Sequence, residues 1–265
     1  LQNYNFNQNL LLFLLLFLLT RIMQENISKL KNLLSTQKQI VVTTHRGPDG
    51  DAMGSALAMF HFLKELGHIV NVIIPNLHPE FLHWMPENNK VLIYEGNEEE
   101  ADKLAKKADI IFLLDFGNIY RIEPFSNTIK KSRATKVLID HHEDPDEDIA
   151  NIMFSNTKSC ATAELVYEVI SEMKMEKYIN KDIAECLYTG IMTDTGSFKY
   201  NSTTSKTHSI IANLIDKGAR SSMIHDLVYD NSSADKMKLL GYCINDKLLL
   251  YPQNNSAIIS LTNEE

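Results

Sequence analysis

Between residues 109 and 115 the sequence reads DIIFLLD, an unbroken apolar run closed by an aspartate at each end. A strand with one wet face alternates apolar and polar residues, so such a run needs cover on both faces. The same character recurs in QIVVTTH (39–45), HIVNVIIP (68–75) and KVLIDHH (136–142), and more briefly in VLIYE (91–95). Between these runs, GSALAMFHFLKELG (54–67) and EEEADKLAKKA (98–108) carry apolar residues near helical spacing. Doubly buried strands separated by helices specify an α/β class: a parallel sheet of about five strands with helices on both faces.

Beyond the acidic loop EDPDED, ANIMFSN (150–156) reads as an edge strand, and helices dominate from Cys160 onward. Four segments carry helical patterning: ATAELVYEVISEM, NKDIAECLYTGIMTDTG, SKTHSIIANLIDKGA and SSMIHDLVYDNSS. In KLLLYPQNNSAIISLTNEE the period changes again, to two short strands around residues 253–256. Two strands alone are rarely stable. We therefore expect one domain over 23–230, a helical linker over 231–246, and over 247–265 the start of a second α/β domain that is truncated here. The uncharged run Leu10–Leu19 has half the length of a membrane span, which takes about 20 apolar residues. It also lacks the basic flank and small-residue cleavage site of a signal peptide. Met23 directly precedes an amphipathic segment. Residues 1–22 are thus expected to lie upstream of the true start, and no membrane association is expected.

A net charge of −8 opposes a broad surface for long nucleic acid, whose affinity rests on neutralising many phosphates. Small anionic substrates held through metal remain compatible. The three cysteines, Cys160, Cys186 and Cys243, form no paired motif, which fits a reducing cytoplasm.

Ligands of open parallel sheets bind beyond the carboxyl ends of the strands. Strand by strand, that edge receives His45 with the following Asp49 and Asp51, then Asp115, then Asp140, His141 and His142; Asp194 ends a helical stretch. Each has an ordinary explanation alone: a core histidine, an Asp-Gly turn, a helix cap. Together they do not, because acids recurring at the ends of successive buried strands repel one another unless cations hold them. Carboxylates mixed with imidazoles suit manganese, magnesium or cobalt rather than a thiolate-bound metal.

HRGPDGDAMGS, LLDFG, IDHH and YTGIMTDTGSF resemble, in order, the four motifs of the DHH phosphoesterase superfamily, over roughly residues 38–230. The stretch DTGSFKYNSTT is most similar to its nanoRNase branch, whose members also act as phosphatases on adenosine 3′,5′-bisphosphate. The resemblance implies two divalent cations, manganese first and magnesium or cobalt as alternatives. It implies that His45, Asp49 and Asp115 hold one ion, and that Asp51, Asp115, His141 and Asp194 hold the other. His142, with Asp115 the catalytic pair, would meet the phosphate. Ser55 and the backbone at Gly54 are candidates for an anion contact, with helix capping the plainer role, and Arg121 for gripping phosphate, with a surface ion pair the plainer one. Gly47 and Gly50 are read as relaxing the loop around Pro48 so that Asp49 and Asp51 face different ions. Gly47 stands where many relatives carry asparagine.

The implied function is hydrolysis of short single-stranded oligoribonucleotides to mononucleotides, and of adenosine 3′,5′-bisphosphate to AMP, by a cytoplasmic protein that forms a homodimer. Rivals of the same chemistry are a manganese-dependent inorganic pyrophosphatase, a RecJ-type exonuclease and a phosphodiesterase of cyclic dinucleotides or pApA. A catalytically impaired nucleotide-binding module is the alternative of another class.

Overall fold

The computed structural model describes residues 21–146 and 148–265. Residues 1–20, with the Leu10–Leu19 run, lie outside them. Among the described residues no helix is long and apolar enough to cross a membrane.

The described residues begin in helix α1 (residues 21–33) and continue through strand β1 (Gln39–Thr43), helix α2 (Gly50–Glu65) and β2 (Ile69–Ile74). Then come the two-residue β3 (Leu92–Ile93), α3 (Glu98–Lys107), β4 (Ile110–Leu114), α4 (Ser126–Lys131), β5 (Thr135–Asp140) and β6 (Ile152–Ser155). Helices α5 (Thr162–Glu172), α6 (Lys181–Asp194), α7 (Ser205–Asp216) and α8 (Ser221–Tyr229) follow. All six strands pair in parallel, in the order β3-β2-β1-β4-β5-β6.

The double burial of the strands fixes where the helices lie. Val41, Ile111, Leu113 and Leu138 share one face with Ala101 and Ala105 of α3 and Ile129 of α4. Their alternates Val42, Phe112, Leu114 and Ile139 are as fully buried and point to the other face, because side chains alternate along a strand. Helices α2 and α5 pack on that second face, and α6 packs on both of them. Helix α2 is therefore enclosed between sheet and helix, and every residue from Gly50 to Leu63 is buried. At the sheet edge Asn26 of α1 donates through Nδ2 to the Met153 carbonyl at 3.0 Å, which occupies one of the acceptors β6 leaves open.

The chain leaves β1 toward β2 and β3, then returns to place β4 on the other side of β1. The switch point of the sheet lies between β1 and β4, where loops part in opposite directions and leave a crevice at the carboxyl edge.

The chain divides into two compact units between Ile224 and His225, inside α8, six residues before the boundary expected at 230. The second unit holds α9 (Ala234–Tyr242), a π-helical turn over Cys243–Lys247, and an antiparallel hairpin of β7 (Leu249–Tyr251) and β8 (Ser256–Ile258).

Candidate metal centre

The loop after β1 opens the centre. The His45 ring faces the Arg46 carbonyl through Nδ1 at 2.9 Å, so Nδ1 donates there and Nε2 is turned into the centre. That Nε2 lies 3.5 Å from Asp115 Oδ2 and 3.9 Å from Asp49 Oδ2. Gly47 holds φ +65°, in the left-handed region glycine enters freely, and its N–H donates to the Asn76 side chain at 2.7 Å. Asp49 serves two ends: Oδ1 caps α2 by accepting from the N–H groups of Asp51 and Ala52, both at 3.0 Å, which leaves Oδ2 toward His45.

Because Asp49 is the cap, Gly50 is the first residue of a helix and not part of a relaxed loop. A Cβ there would meet the Thr193 side chain at 2.3 Å. The absence of side chains at Gly50 and Gly54 lets α2 approach α6 closely, and the expected helix start at Gly54 moves back to Gly50.

Asp51, one turn in, is buried at 1% exposure against the N-terminus of α5. Its carboxylate accepts from Thr162 N–H at 2.6 Å, Ala163 N–H at 2.9 Å and the Ser55 hydroxyl at 3.3 Å. Ser55 is itself fully buried, so it supports Asp51 instead of standing where substrate would meet it, and Gly54 is packed against the Cys186 carbonyl inside the helix pair. Neither placement matches the expected anion contact.

Asp115 follows β4 with φ +64°, a left-handed conformation that aspartate tolerates better than most residues. Its two oxygens part: Oδ2 faces His45, while Oδ1 lies 3.6 Å from His141 Nε2, 3.7 Å from His142 Nδ1 and 2.9 Å from the Thr162 hydroxyl. His141 directs Nδ1 to the Ser159 carbonyl at 3.3 Å, which frees Nε2 toward Asp194 Oδ2 at 3.5 Å and Asp51 Oδ2 at 4.0 Å. Asp194 ends α6, and the left-handed turn Gly196–Phe198 follows it.

The donor atoms thus gather into His45, Asp49 and Asp115, then Asp51, His141 and Asp194, with Asp115, His141 and His142 as a third overlapping set, each within 4.8 Å. All six residues read from the sequence as ligands meet here. Among the described residues no lysine or arginine is ion-paired with these four carboxylates, so their charge is left for something else to neutralise. The electrostatics agree. Burial, then the charges of Asp115 and Asp194, pushes the Asp51 carboxyl well above the usual range. Burial also raises Asp194, to about 6, with Asp115 and Asp49 adding to it against the pull of His141. Burial would raise Asp115 too, but the imidazoles of His45, His141 and His142 outweigh it and hold its pKa down. Acids whose burial and mutual repulsion raise their pKa, as at Asp51 and Asp194, are what a hard-cation site looks like without charge compensation, and a bound cation would favour their ionised forms.

His142 stands apart. Its Nδ1–H donates to the buried Asp140 at 2.7 Å, and its Nε2 accepts from the exposed Arg121 at 3.0 Å. Arg121 therefore sits beside the centre through His142 and not on a ligand. Thr162, Ala163, Ser159 and the close-packing Gly190 have no role in the sequence reading, which takes ATAELVYEVISEM and NKDIAECLYTGIMTDTG only as helical segments.

The family model described as DHH family, N-terminal domain, matches residues 39–191. The chain is 28% identical over 211 residues to the bifunctional oligoribonuclease and PAP phosphatase NrnA of Bacillus subtilis, covering 79% of this chain and 62% of that protein. It is 27% identical over 194 residues to the Thermus thermophilus protein of the same description, covering 73% and 55%. The chain thus spans roughly three fifths of the length of these curated relatives. An exopolyphosphatase-related protein from Bacteroides fragilis superposes with TM-score 0.88 at 42% identity, over 91% of this chain and 71% of that one. The putative family II inorganic pyrophosphatase of Methanococcus jannaschii shares the fold, with TM-score 0.54 at 18% identity over 82% of this chain and 69% of that one.

Proposed function

The chain belongs to the DHH family, and from that premise we propose that it is a two-metal phosphoesterase that cleaves short oligoribonucleotides to mononucleotides and adenosine 3′,5′-bisphosphate to AMP. The observation that carries the reading is the division of Asp115: one carboxylate oxygen toward His45, the other toward His141. One residue so placed would serve two cations at once, the first with His45 and Asp49, the second with Asp51, His141 and Asp194. Oxygen and imidazole donors without thiolate fit manganese, with magnesium or cobalt as substitutes. When bound, such a pair lowers the pKa of an attacking water and neutralises charge gathering on the phosphate.

The rest of the chemistry falls to the chain. His45 and His141 each spend Nδ1–H on a backbone carbonyl, which fixes the tautomer that offers Nε2 to a cation. Asp140 orients His142 and, as the largest influence, raises its pKa, which favours the protonated imidazole a proton donor needs. A phosphate that draws the Arg121 guanidinium to itself frees His142 Nε2 to donate to a phosphate oxygen or to the leaving group.

The choice of small substrates is supported by the names of the NrnA relatives and by the net charge of −8. In an assay with manganese, a diribonucleotide, adenosine 3′,5′-bisphosphate and pyrophosphate side by side, the first two are expected to be turned over in preference to the third. Preference for pyrophosphate would replace the substrate assignment, and no turnover of any would favour a binding module.

A further inference from the structure

The segment Ser159–Glu164 has no place in the ligand sets above, yet it touches three of their members. Its Ser159 carbonyl receives His141 Nδ1–H at 3.3 Å, its Thr162 and Ala163 amides hold the two oxygens of Asp51 at 2.6 and 2.9 Å, and its Thr162 hydroxyl donates to Asp115 Oδ1 at 2.9 Å. The segment is itself locked. Buried Glu164 accepts from the Ser159 hydroxyl at 2.6 Å, the Cys160 N–H at 2.9 Å and the Thr207 hydroxyl of α7 at 2.9 Å.

Every one of these contacts falls on the same half of the centre. Thr162 meets Asp115 through Oδ1, the oxygen facing His141, and leaves Oδ2, the oxygen facing His45, untouched. Its N–H reaches Asp51 Oδ2, which is also the oxygen nearest His141. His45 and Asp49 depend instead on the loop after β1. The two halves therefore have separate supports, one from the β1 loop and one from the start of α5.

We propose that Thr162 is a positioning residue that sets the affinity of one of the two cation positions, the one formed by Asp51, His141 and Asp194, by pinning Asp51 and Asp115 to each other. The proposal rests on the two-cation reading of the centre. A hydroxyl that donates to one lone pair of Asp115 Oδ1 leaves the other directed at the cation, and it stops the carboxylate from rotating about its Cβ–Cγ bond. Removing such an outer hydrogen-bond partner costs about 10–100-fold in metal affinity.

The test is manganese titration by calorimetry of the wild-type protein and of Thr162→Val, which keeps the size and the N–H of the residue while deleting the hydroxyl. Two binding steps are expected in the wild type. In Thr162→Val one step should weaken by about 10–100-fold with the other unchanged, Thr162→Ser should restore it, and His45→Asn should weaken the opposite step. Thermal unfolding without cation checks that each variant folds, and Thr162→Ala replaces the valine variant if that one does not. Equal weakening of both steps, or none, would overturn the role of Thr162 while leaving the two-cation reading intact. A wild-type protein with no manganese binding would overturn both.

Discussion

Replacing Asp115 with asparagine is expected to lower turnover of every substrate by at least about a thousandfold, more than the 10–100-fold typical of an outer hydrogen-bond partner, because both of the proposed cation positions would lose a shared ligand. The substitution isolates chemistry from folding. Asp115 sits at φ +64°, and asparagine is among the few residues that tolerate this conformation, whereas alanine would add backbone strain of about 1–2 kcal/mol. Asparagine also keeps an oxygen to accept from Thr162. What it cannot do is offer two anionic oxygens in different directions. Its amide nitrogen must take the place of an anionic oxygen toward the Nε2 atom of either His45 or His141. Steady-state turnover with manganese measures the loss, and circular dichroism should be unchanged. Wild-type turnover in this variant would remove the shared-ligand assignment.

The second large effect comes from a residue that donates nothing. Gly190 lies in α6 where a Cβ would meet the Ala163 Cβ at 2.6 Å and Asp51 Oδ1 at 2.9 Å. In an exposed helix, glycine to alanine gains about 1 kcal/mol. Here neither neighbour can swing away, since one is a methyl on the helix start that holds Asp51 and the other is the carboxylate itself. Overpacking of this kind costs about 1–3 kcal/mol, so the sign reverses. Gly190→Ala should lower Tm by a few degrees, at roughly 2–4 °C per kcal/mol for a chain of this size. It should also weaken manganese binding by about tenfold or more, because relief of the clash pushes Asp51 off its amides. Gly67→Ala is the control. It has φ +85° with open space around it, so it should lose about 1–2 kcal/mol to backbone strain without touching cation affinity. Calorimetric unfolding and manganese titration of both variants separate the two outcomes, and equal manganese affinity in all three proteins would contradict the packing argument.

These two residues also mark what a sequence can disclose. Asp115 was legible because a buried parallel strand has only one place for a charged residue, its carboxyl end, and three strands delivered acids or histidines to that same edge. The helical second half was legible from periodicity. Gly190 was not, because the reason for its missing side chain is a neighbouring helix distant in sequence, and local patterning records a glycine inside a helix only as a cost. The start of α2 was misplaced for a related reason. GPDGD has the composition of a loop, and only the capping of two amides by Asp49 together with the close approach to α6 makes its second glycine helical. Ser55 was placed at a helix mouth that in fact opens four residues earlier, which is why it turned out buried behind Asp51. Thr162 has no local signature at all. Its N–H and hydroxyl acquire meaning only when α5 is laid against the ends of α2 and β4.

Anomalous diffraction from crystals grown with manganese tests most directly whether one carboxylate joins two cations at the switch point of the sheet. Two peaks should appear, one beside His45 and Asp49 and the other beside Asp51, His141 and Asp194, each in contact with a different oxygen of Asp115. A single peak, or two peaks of which one does not touch Asp115, would contradict the account.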